Sequence, residues 1–458
     1  MKKERRSSAA IDMTVGSPMR HILVFALPLL LGNVLQQLYN MVDSVVVGQY
    51  VSDAALAAVG TGFPVIFLLT SFLMGLGIGA SVIVSQYYGY GDMETVKRMV
   101  GTIYTALMVA AVPLTVLGIL VTGPVLRLLQ VPADALPLAR TYVIIILAGI
   151  LGTMGYNCNS GILQGLGNSR TPLLFLAISC VINIVLDLLF VIVFDWGVAG
   201  VALATVIAQA FSWVFGIFYI NRHHPDLHIN PFSWIFDKGL FARVLKLGAP
   251  IGLQQALFSI GVLTLQRLVN SYGTDFAAGF NGANKLDTFA FMPIQSFASA
   301  ATTFVGQNIG AGKLHRVREG TRATIIVSCA ASLLATAFLL PLGPQMMQLF
   351  SSSPGVIDAG MAYLNRIMPF YWMLAVMFTF NSVMRGAGEM VVPMISSLAG
   401  LWLARVPAAY LLAHWFGRDN IYFCYAIGWI PGILIAGLFY FTGRWKRKAV
   451  VPQQPQNE

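Results

Sequence analysis

Apolar residues fill most of the chain in twelve long blocks, and short polar segments separate one block from the next. Each block is longer than the roughly 20 residues that an α-helix needs to cross a bilayer. The pattern therefore predicts an all-α polytopic membrane protein with twelve transmembrane helices. The predicted spans are residues 20–48, 55–87, 97–122, 138–166, 171–194, 197–220, 243–271, 276–307, 319–342, 360–385, 390–416 and 421–443.

The composition agrees with this pattern, because 57% of the residues are hydrophobic and only 10% are charged. Soluble domains carry about 25% charged residues, and no stretch of this chain is polar enough to form a separate soluble domain. The net charge of +10 does not indicate a nucleic-acid-binding protein, since no basic domain with interleaved aromatic residues is present.

The basic residues are divided unevenly between the two sides of the predicted membrane. Twenty-one Lys and Arg residues fall on the side of the two termini, whereas four fall on the opposite side. Short loops rich in Lys and Arg remain in the cytoplasm. The distribution therefore predicts a multi-pass protein of the plasma (inner) membrane with both termini in the cytoplasm.

Four motifs of the first half return in the same order and at nearly the same spacing in the second half, so that Pro28 matches Pro250 and Pro172 matches Pro393. Such a fixed spacing indicates an internal duplication. The matching pairs are FALPLLLGNVLQQL (25–38) with LGAPIGLQQAL (247–257), SDAALAAVG (52–60) with TDFAAGFNG (274–282), VSQYYGYGDMETVKR (84–98) with VGQNIGAGKLHRVRE (305–319), and LQGLGNSRTP (163–172) with MRGAGEMVVP (384–393).

The duplication predicts two six-helix lobes. Because each half has an even number of spans, the halves insert with the same orientation and form a parallel repeat. The predicted organisation is a first lobe at 1–220, a cytoplasmic linker at 221–242, a second lobe at 243–443 and a cytoplasmic tail at 444–458.

The first predicted helix carries a polar stripe that the bilayer would disfavour. Gln36, Asn40 and Asp43 are spaced so that they share one helix face. A carboxylate at mid-bilayer depth costs ~2.5–3.5 kcal/mol on insertion scales, so such a residue indicates a functional site. Gln36 and Asn40 are candidates for lining a substrate cavity beside Asp43.

Other polar residues of the first half lie in neighbouring predicted spans. Asn183 and Asp187 are one helical turn apart, Asn157 lies one span earlier and Thr205 one span later. If these side chains converge with Asp43, their oxygens suit a hard cation such as Na⁺, and a carboxylate pair can also take a proton. The alternative is that they form separate structural polar pairs between helices.

The second half has one acid well inside a span, Asp287, with Lys285 two residues before it. These two side chains point apart on a helix, so Asp287 needs another partner. Arg267 or Arg405 can supply it across the bundle. A structural salt bridge is the favoured interpretation, and a charge that faces the substrate is the alternative.

The two halves differ in their acids, since Leu265 and Ala408 stand at the positions that match Asp43 and Asp187. This difference places the predicted ion chemistry in the first half. No enzyme motif is present, and GAGKL (310–314) is not a phosphate-binding loop because Leu314 replaces the required Ser or Thr. The sequence therefore predicts a protein that is not an enzyme, with no cofactor and no metal beyond a coupling Na⁺.

These motifs together resemble the multidrug and toxic compound extrusion (MATE) family over essentially the whole chain. The resemblance rests on LPLLLGNVLQQLYNMVDSVVVGQY, the GYGDMETVKR and GAGKLHRVRE loops, the ILQGLGNSRTP and MRGAGEMVVP pair, and NIVLDLLF followed by GVALATV. The resemblance implies an antiporter in which H⁺ or Na⁺ entry drives export of organic cations and toxic compounds by alternating access.

The resemblance also implies which residues act. In the branch of the family that has acids in the first half, the coupling-ion site matches Asp43, Asn157, Asn183, Asp187 and Thr205 of this chain. Pro28 is the expected hinge of the first helix. The expected partners are small lipophilic cations and the lipid bilayer, with the protein as a monomer. A related lipid-linked oligosaccharide flippase is the alternative among transporters, and a passive channel or scaffold is the alternative from another class.

Overall fold

The computed structural model describes residues 11–128, 131–225 and 227–452, and within these ranges the chain forms helices and no β-strand. Residues 1–10 of the predicted first lobe and 453–458 of the predicted tail lie outside the described residues. The helices are α1 (Pro18–Tyr50), α2 (Asp53–Tyr90), α3 (Met93–Leu128), α4 (Leu136–Ala148), α5 (Ile150–Gly165), α6 (Arg170–Leu188), α7 (Gly197–His223), α8 (Lys238–Asn270), α9 (Thr274–Gly310), α10 (Leu314–Gln348), α11 (Pro354–Ile367), α12 (Tyr371–Gly386), α13 (Val391–Leu398), α14 (Val406–Phe416) and α15 (Cys424–Thr442).

These helices form twelve rods that coincide with the twelve predicted spans. Ten of them, counted over the described residues, are long and apolar enough to cross a membrane, and α4 with α5 makes an eleventh that is bent by 52°. The twelfth rod is α9, which is long enough to cross a membrane but less apolar than the other eleven. The fold is therefore the predicted all-α polytopic bundle.

Two of the rods contain a short π-helix, in which a backbone N–H bonds to the carbonyl five residues earlier instead of four. Such π segments run over Leu189–Val193 after α6 and over Ala399–Arg405 between α13 and α14. They occur often at functional sites. The first begins two residues after Asp187, and the second ends on Arg405.

The duplication is visible in the turns that join the rods. Gly91 and Gly312 follow α2 and α9 with φ of 89° and 72°, and Gly167 and Gly388 both have φ of 87°. Side chains with a Cβ rarely adopt this left-handed conformation, so glycine ends these helices. The two pairs have the same spacing along the chain, which explains why the motifs around these glycines are the best-matched parts of the two halves.

The chain divides into two compact units whose boundaries fall inside helices. The first is built on Leu31–Gly252, and the second on Asp12–Leu30 together with the chain from Leu253 onward. The first part of α1 thus groups with the second unit, and the first part of α8 groups with the first unit. Pro28 and Pro250 lie inside these helices, two residues before each change of unit.

The segment before α1 is anchored within the second unit. Met13 is fully buried, and its N–H donates to Gln307 Oε1 at 3.1 Å. Its carbonyl accepts from Asn308 Nδ2 and from Arg316 Nη2, each at 3.1 Å. The loop that carries the GAGKLHRVRE motif therefore holds the chain as it enters α1.

The segment before α8, which belongs to the predicted linker, is anchored on α3 within the first unit. Thr105 Oγ1 donates to the Ile235 carbonyl at 2.8 Å, and the Asp237 N–H donates to Thr102 Oγ1 at 3.0 Å. In both halves of the duplication the chain is thus held in place just before the first helix.

The residues after α15 fold back onto the second unit. Trp445 is buried, stacks on Tyr440 with the ring centroids 5.8 Å apart, and donates its Nε1–H to the Tyr440 carbonyl at 2.9 Å. Lys448 Nζ lies 2.8 Å from Glu389 Oε2. These contacts order the beginning of the predicted tail.

Within the first unit, α2 and α8 cross at backbone contact distance. A Cβ added at Gly75 would lie 2.5 Å from the Gly248 carbonyl oxygen and 2.7 Å from the Gly252 nitrogen. A Cβ added at Gly248 would lie 2.7 Å from Leu76 Cα. Small residues four apart allow helices to approach this closely in a membrane, where hydrophobic burial does not drive association.

Candidate functional site

Asp43 and Asp187 are brought together in the first unit, although they are far apart in the sequence. Asp43 lies on α1 and is 7% exposed, and Asp187 lies near the end of α6 and is fully buried. The two carboxyl groups face each other closely enough to interact directly. The Tyr39 hydroxyl also lies beside the Asp43 carboxyl, because Tyr39 precedes Asp43 by one turn of α1.

A hydroxyl and an amide complete this cluster. Tyr39 OH donates to Thr205 Oγ1 on α7 at 3.0 Å. Asn183 Nδ2 approaches the same Thr205 oxygen at 3.5 Å, and Asn183 is fully buried on the face of α6 that carries Asp187. Four of the five predicted ion-site residues thus lie in one place: Asp43, Asn183, Asp187 and Thr205.

Several oxygens of the cluster have no hydrogen-bond partner among the described residues. They are Asp43 Oδ1, Asn183 Oδ1 and both carboxyl oxygens of Asp187. Buried polar atoms are normally paired, and two buried carboxylates also repel each other, so the arrangement is costly when both are ionised. A proton or a cation between the carboxyl groups would offset that cost, because it supplies the missing positive charge.

Among the described contacts, none joins Asn157 to this cluster. It is exposed, and its Nδ2 donates to the Thr153 carbonyl one turn earlier on α5 at 2.8 Å. Its amide nitrogen thus has a partner within its own helix. The role that the resemblance assigns to Asn157 stays a prediction without a contact to the other four residues.

Only Asp43, of the three residues in the polar stripe of α1, belongs to the cluster. Asn40 is exposed and donates to Gln37 Oε1 at 3.3 Å, and Gln36 is half-buried. The residue of α1 that joins Asp43 in the cluster is Tyr39. The predicted role of Gln36 and Asn40 in substrate binding has no contact with the carboxyl pair to support it.

Two tyrosines of the cluster are absent from the sequence-based candidates. Tyr39 contacts Thr205, and Tyr142 on α4 lies near both Asp43 and Asp187. The spacing of Tyr39, one turn before Asp43, is the signal that points to it. Tyr142 has no such signal, because only the packing of α4 against the other helices brings it to the acids.

In the second unit, Asp287 lies close enough to Arg405 for the two charges to interact. Arg405 is one of the two partners predicted for Asp287. The structure does not pair Asp287 with Arg267, which is exposed. Lys285 is exposed and lies over the Phe350 ring, 5.6 Å from its centroid. No ion pair within 4.0 Å joins Asp287 to a basic residue in the described part of the chain, so the predicted salt bridge is a longer-range attraction.

The hydrogen bonds of the cluster lead to a stability prediction. Thr205→Val removes the acceptor of both Tyr39 and Asn183, so we expect it to destabilise the protein by about 1–3 kcal/mol. Asn157→Ala removes an exposed amide, so we expect a change within about 0.5 kcal/mol. Thermal unfolding of both variants in the same detergent compares them, and equal melting temperatures would contradict the contacts described for Thr205.

Comparison with known families gives a match that repeats within the chain. The MatE family model matches residues 28–189 and again residues 250–411. The two matches begin at Pro28 and Pro250, which are paired in the repeated motifs, and this agreement confirms the internal duplication. Together the two matches cover more than half of the chain.

Individual relatives match over nearly their full length. The chain is 32% identical over 437 residues to the probable multidrug resistance protein YpnP of Bacillus subtilis (strain 168), covering 95% of this chain and 98% of the relative. It is 26% identical over 456 residues to the probable multidrug resistance protein NorM of Thermotoga maritima, covering 96% of each. A solved outward-facing conformation of a multidrug resistance MATE family transporter of the MOP superfamily has the same fold, with a TM-score of 0.88 at 22% identity over 97% of this chain and all of that one.

Proposed function

The chain belongs to the MatE family of multidrug efflux transporters, and on that premise we propose that it is a secondary antiporter. It exports organic cations or other toxic compounds in exchange for H⁺ or Na⁺. The excess of Lys and Arg in the loops on the side of the termini supports a plasma-membrane protein with both termini in the cytoplasm. The proposed functional unit is a monomer.

The carboxyl pair of Asp43 and Asp187 is the observation that carries this proposal. A static structural pair of polar side chains would have its oxygens satisfied, whereas this cluster leaves four oxygens open. An ion that enters from outside offsets the buried charge, and its departure restores that charge. Binding thereby favours one arrangement of the helices over another, which is what coupling requires.

The cluster favours H⁺ over Na⁺ as the coupling ion. Two carboxyl groups that face each other can share a proton without any further ligand. Na⁺ needs several oxygens around it. Thr205 Oγ1 already accepts from Tyr39 and Asn183, which leaves it less available to a metal cation.

The ion acts on the substrate through α1 in this proposal. Asp43 lies in the part of α1 that belongs to the first unit, and residues 12–30 belong to the second unit. A change of charge at Asp43 therefore acts on a helix that both units share. Pro28 lacks an N–H and weakens the helix just before the change of unit, so it is the proposed hinge.

Efflux of a fluorescent cationic dye from vesicles with imposed gradients tests the proposal. We expect transport that requires an inward proton gradient and collapses with an uncoupler. Transport that follows a sodium gradient alone would make Na⁺ the coupling ion. Dye flux that ignores both gradients would indicate a passive channel, and absence of dye flux with translocation of a lipid-linked oligosaccharide would indicate the flippase instead.

A further inference from the structure

The second unit has a polar cluster at the place that matches the acid cluster of the first unit. Tyr142 on α4 lies near Asp43 and Asp187, and Tyr363 on α11 lies beside Asp287. The spacing from Tyr142 to Tyr363 along the chain equals that between the paired turn glycines of the two halves. The two tyrosines are therefore equivalent in the duplication, and each faces a carboxyl group inside its own bundle.

The residue that differs most between the two clusters is Arg405. Arg405 follows Asn183 at the same spacing that separates the starts of the two matches to the family model. The spacing between the paired turn glycines is one residue shorter, so by that measure Arg405 lies one residue beyond the position that matches Asn183. The π segment that ends on Arg405 can accommodate an extra residue of this kind, because a π segment holds one residue more than the matching α-helix. A guanidinium thus stands where the first unit has a neutral amide of the ion cluster.

Arg405 is built tightly into this place. It is 8% exposed, and its guanidinium carbon lies 4.4 Å from the centroid of the Tyr425 ring on α15. A Cβ added at Gly428 would lie 2.8 Å from Arg405 Cβ and 3.2 Å from Arg405 Nε, so the glycine leaves room for the arginine. Packing against an aromatic face stabilises a buried cation.

Asp287 and its surroundings complete the cluster. The Tyr363 hydroxyl lies beside the Asp287 carboxyl, Tyr363 is fully buried, and its ring centroid lies 5.9 Å from that of Tyr425. Contacts therefore run from Asp287 to Tyr363, from Tyr363 to Tyr425 and from Tyr425 to Arg405. Coulomb attraction is weakly screened in such an apolar interior and acts beyond contact distance. An arginine keeps its charge at every physiological pH.

We infer that Arg405 is a built-in cation that takes, in the second unit, the place the coupling ion takes in the first. Asp287 is thereby neutralised permanently and binds no exchangeable ion. The duplicated protein accordingly has one exchangeable ion site, at Asp43 and Asp187. This inference rests on the proposed function for the first unit, and it assigns Arg405 the role of fixing the ion stoichiometry.

Ion binding by the purified protein tests this inference without any transport assay. Proton uptake on acidification and binding of radioactive Na⁺ are measured for the parent protein, Asp287→Asn, Arg405→Met and the double variant. Methionine keeps the apolar stem of arginine but has no charge. We expect Asp287→Asn to bind as many ions as the parent, Arg405→Met to bind one more, and the double variant to lose that additional ion.

Arg405→Lys is the matched control, because it keeps a cation on a similar stem and should bind ions as the parent does. Fewer ions bound by Asp287→Asn than by the parent would overturn the inference, and this variant decides even if Arg405→Met does not fold. A folded Arg405→Met protein that binds no additional ion would also overturn it. If Asp43 and Asp187 variants bind normally while the Arg405 results hold, the proposed function fails and the inference about the second unit stands.

Discussion

Asp187→Asn is expected to reduce gradient-driven dye efflux to the level of vesicles without the protein, and Asp43→Asn is expected to do the same. Asparagine has the size of aspartate but carries no charge that an ion could offset. The buried charge costs ~2.5–3.5 kcal/mol at mid-bilayer depth. Without this free-energy difference, the equilibrium between the helix arrangements of the ion-loaded and ion-free states loses roughly 100-fold of its dependence on the ion.

The same variants should remain folded. Each removes one of two carboxyl groups that face each other without a compensating charge, and the new amide can donate to the remaining carboxyl. The melting temperature above neutral pH should therefore equal or exceed that of the parent, because the repulsion between two ionised groups is gone. Loss of efflux together with unchanged or raised stability separates a role in coupling from a role in folding.

Asp195→Asn is the matched control for this pair. Asp195 is exposed and lies in the turn after the π segment that follows Asp187, with φ of 55°. Asparagine tolerates this left-handed conformation, so the same chemical change should leave both efflux and stability unaltered. Full gradient-driven efflux by Asp43→Asn or Asp187→Asn would refute the assignment of the carboxyl pair as the coupling site.

The rods were predictable because the bilayer imposes their length on the sequence. This holds even for α9, the least apolar of the rods, whose block at 276–307 also has the length of a span. The acids Asp43 and Asp187 stood out for the same physical reason, because a charge in an apolar span is costly. Their convergence was left open, since spacing along one helix gives no information about the face of another.

Other parts of the cluster depend on packing that the sequence does not reveal. Tyr142 is an ordinary aromatic residue in an apolar span until α4 brings it to the acids. Asn157 has the oxygen of an ion ligand, but it satisfies its amide on its own helix. The π segments were not predicted either, because the apolar pattern of one wider turn is the same as that of an α-helix. Arg405 owes its position to one of them.

Gly75→Val is expected to cause the largest loss of stability of any substitution considered for the first unit. The Cβ atom alone would come within 2.5 Å of a carbonyl oxygen and 2.7 Å of a nitrogen of α8, and backbone atoms cannot rotate away. Overpacking typically costs about 1–3 kcal/mol where side chains can adjust. Here α2 and α8 must separate, so we expect destabilisation of more than about 3 kcal/mol and little folded protein after purification.

Gly77→Val, two residues along the same helix, makes this prediction specific. A Cβ added at Gly77 has no atom within 4 Å, so the same substitution meets open space. Helix propensity cannot explain a loss of stability in either variant, because valine is no less favourable than glycine in a helix interior. Thermal unfolding in detergent should therefore place Gly77→Val near the parent and Gly75→Val far below it. Similar melting temperatures for the two variants would mean that the α2–α8 crossing is not in backbone contact. The first part of α8 would then lack the glycine contact that attaches it to the first unit.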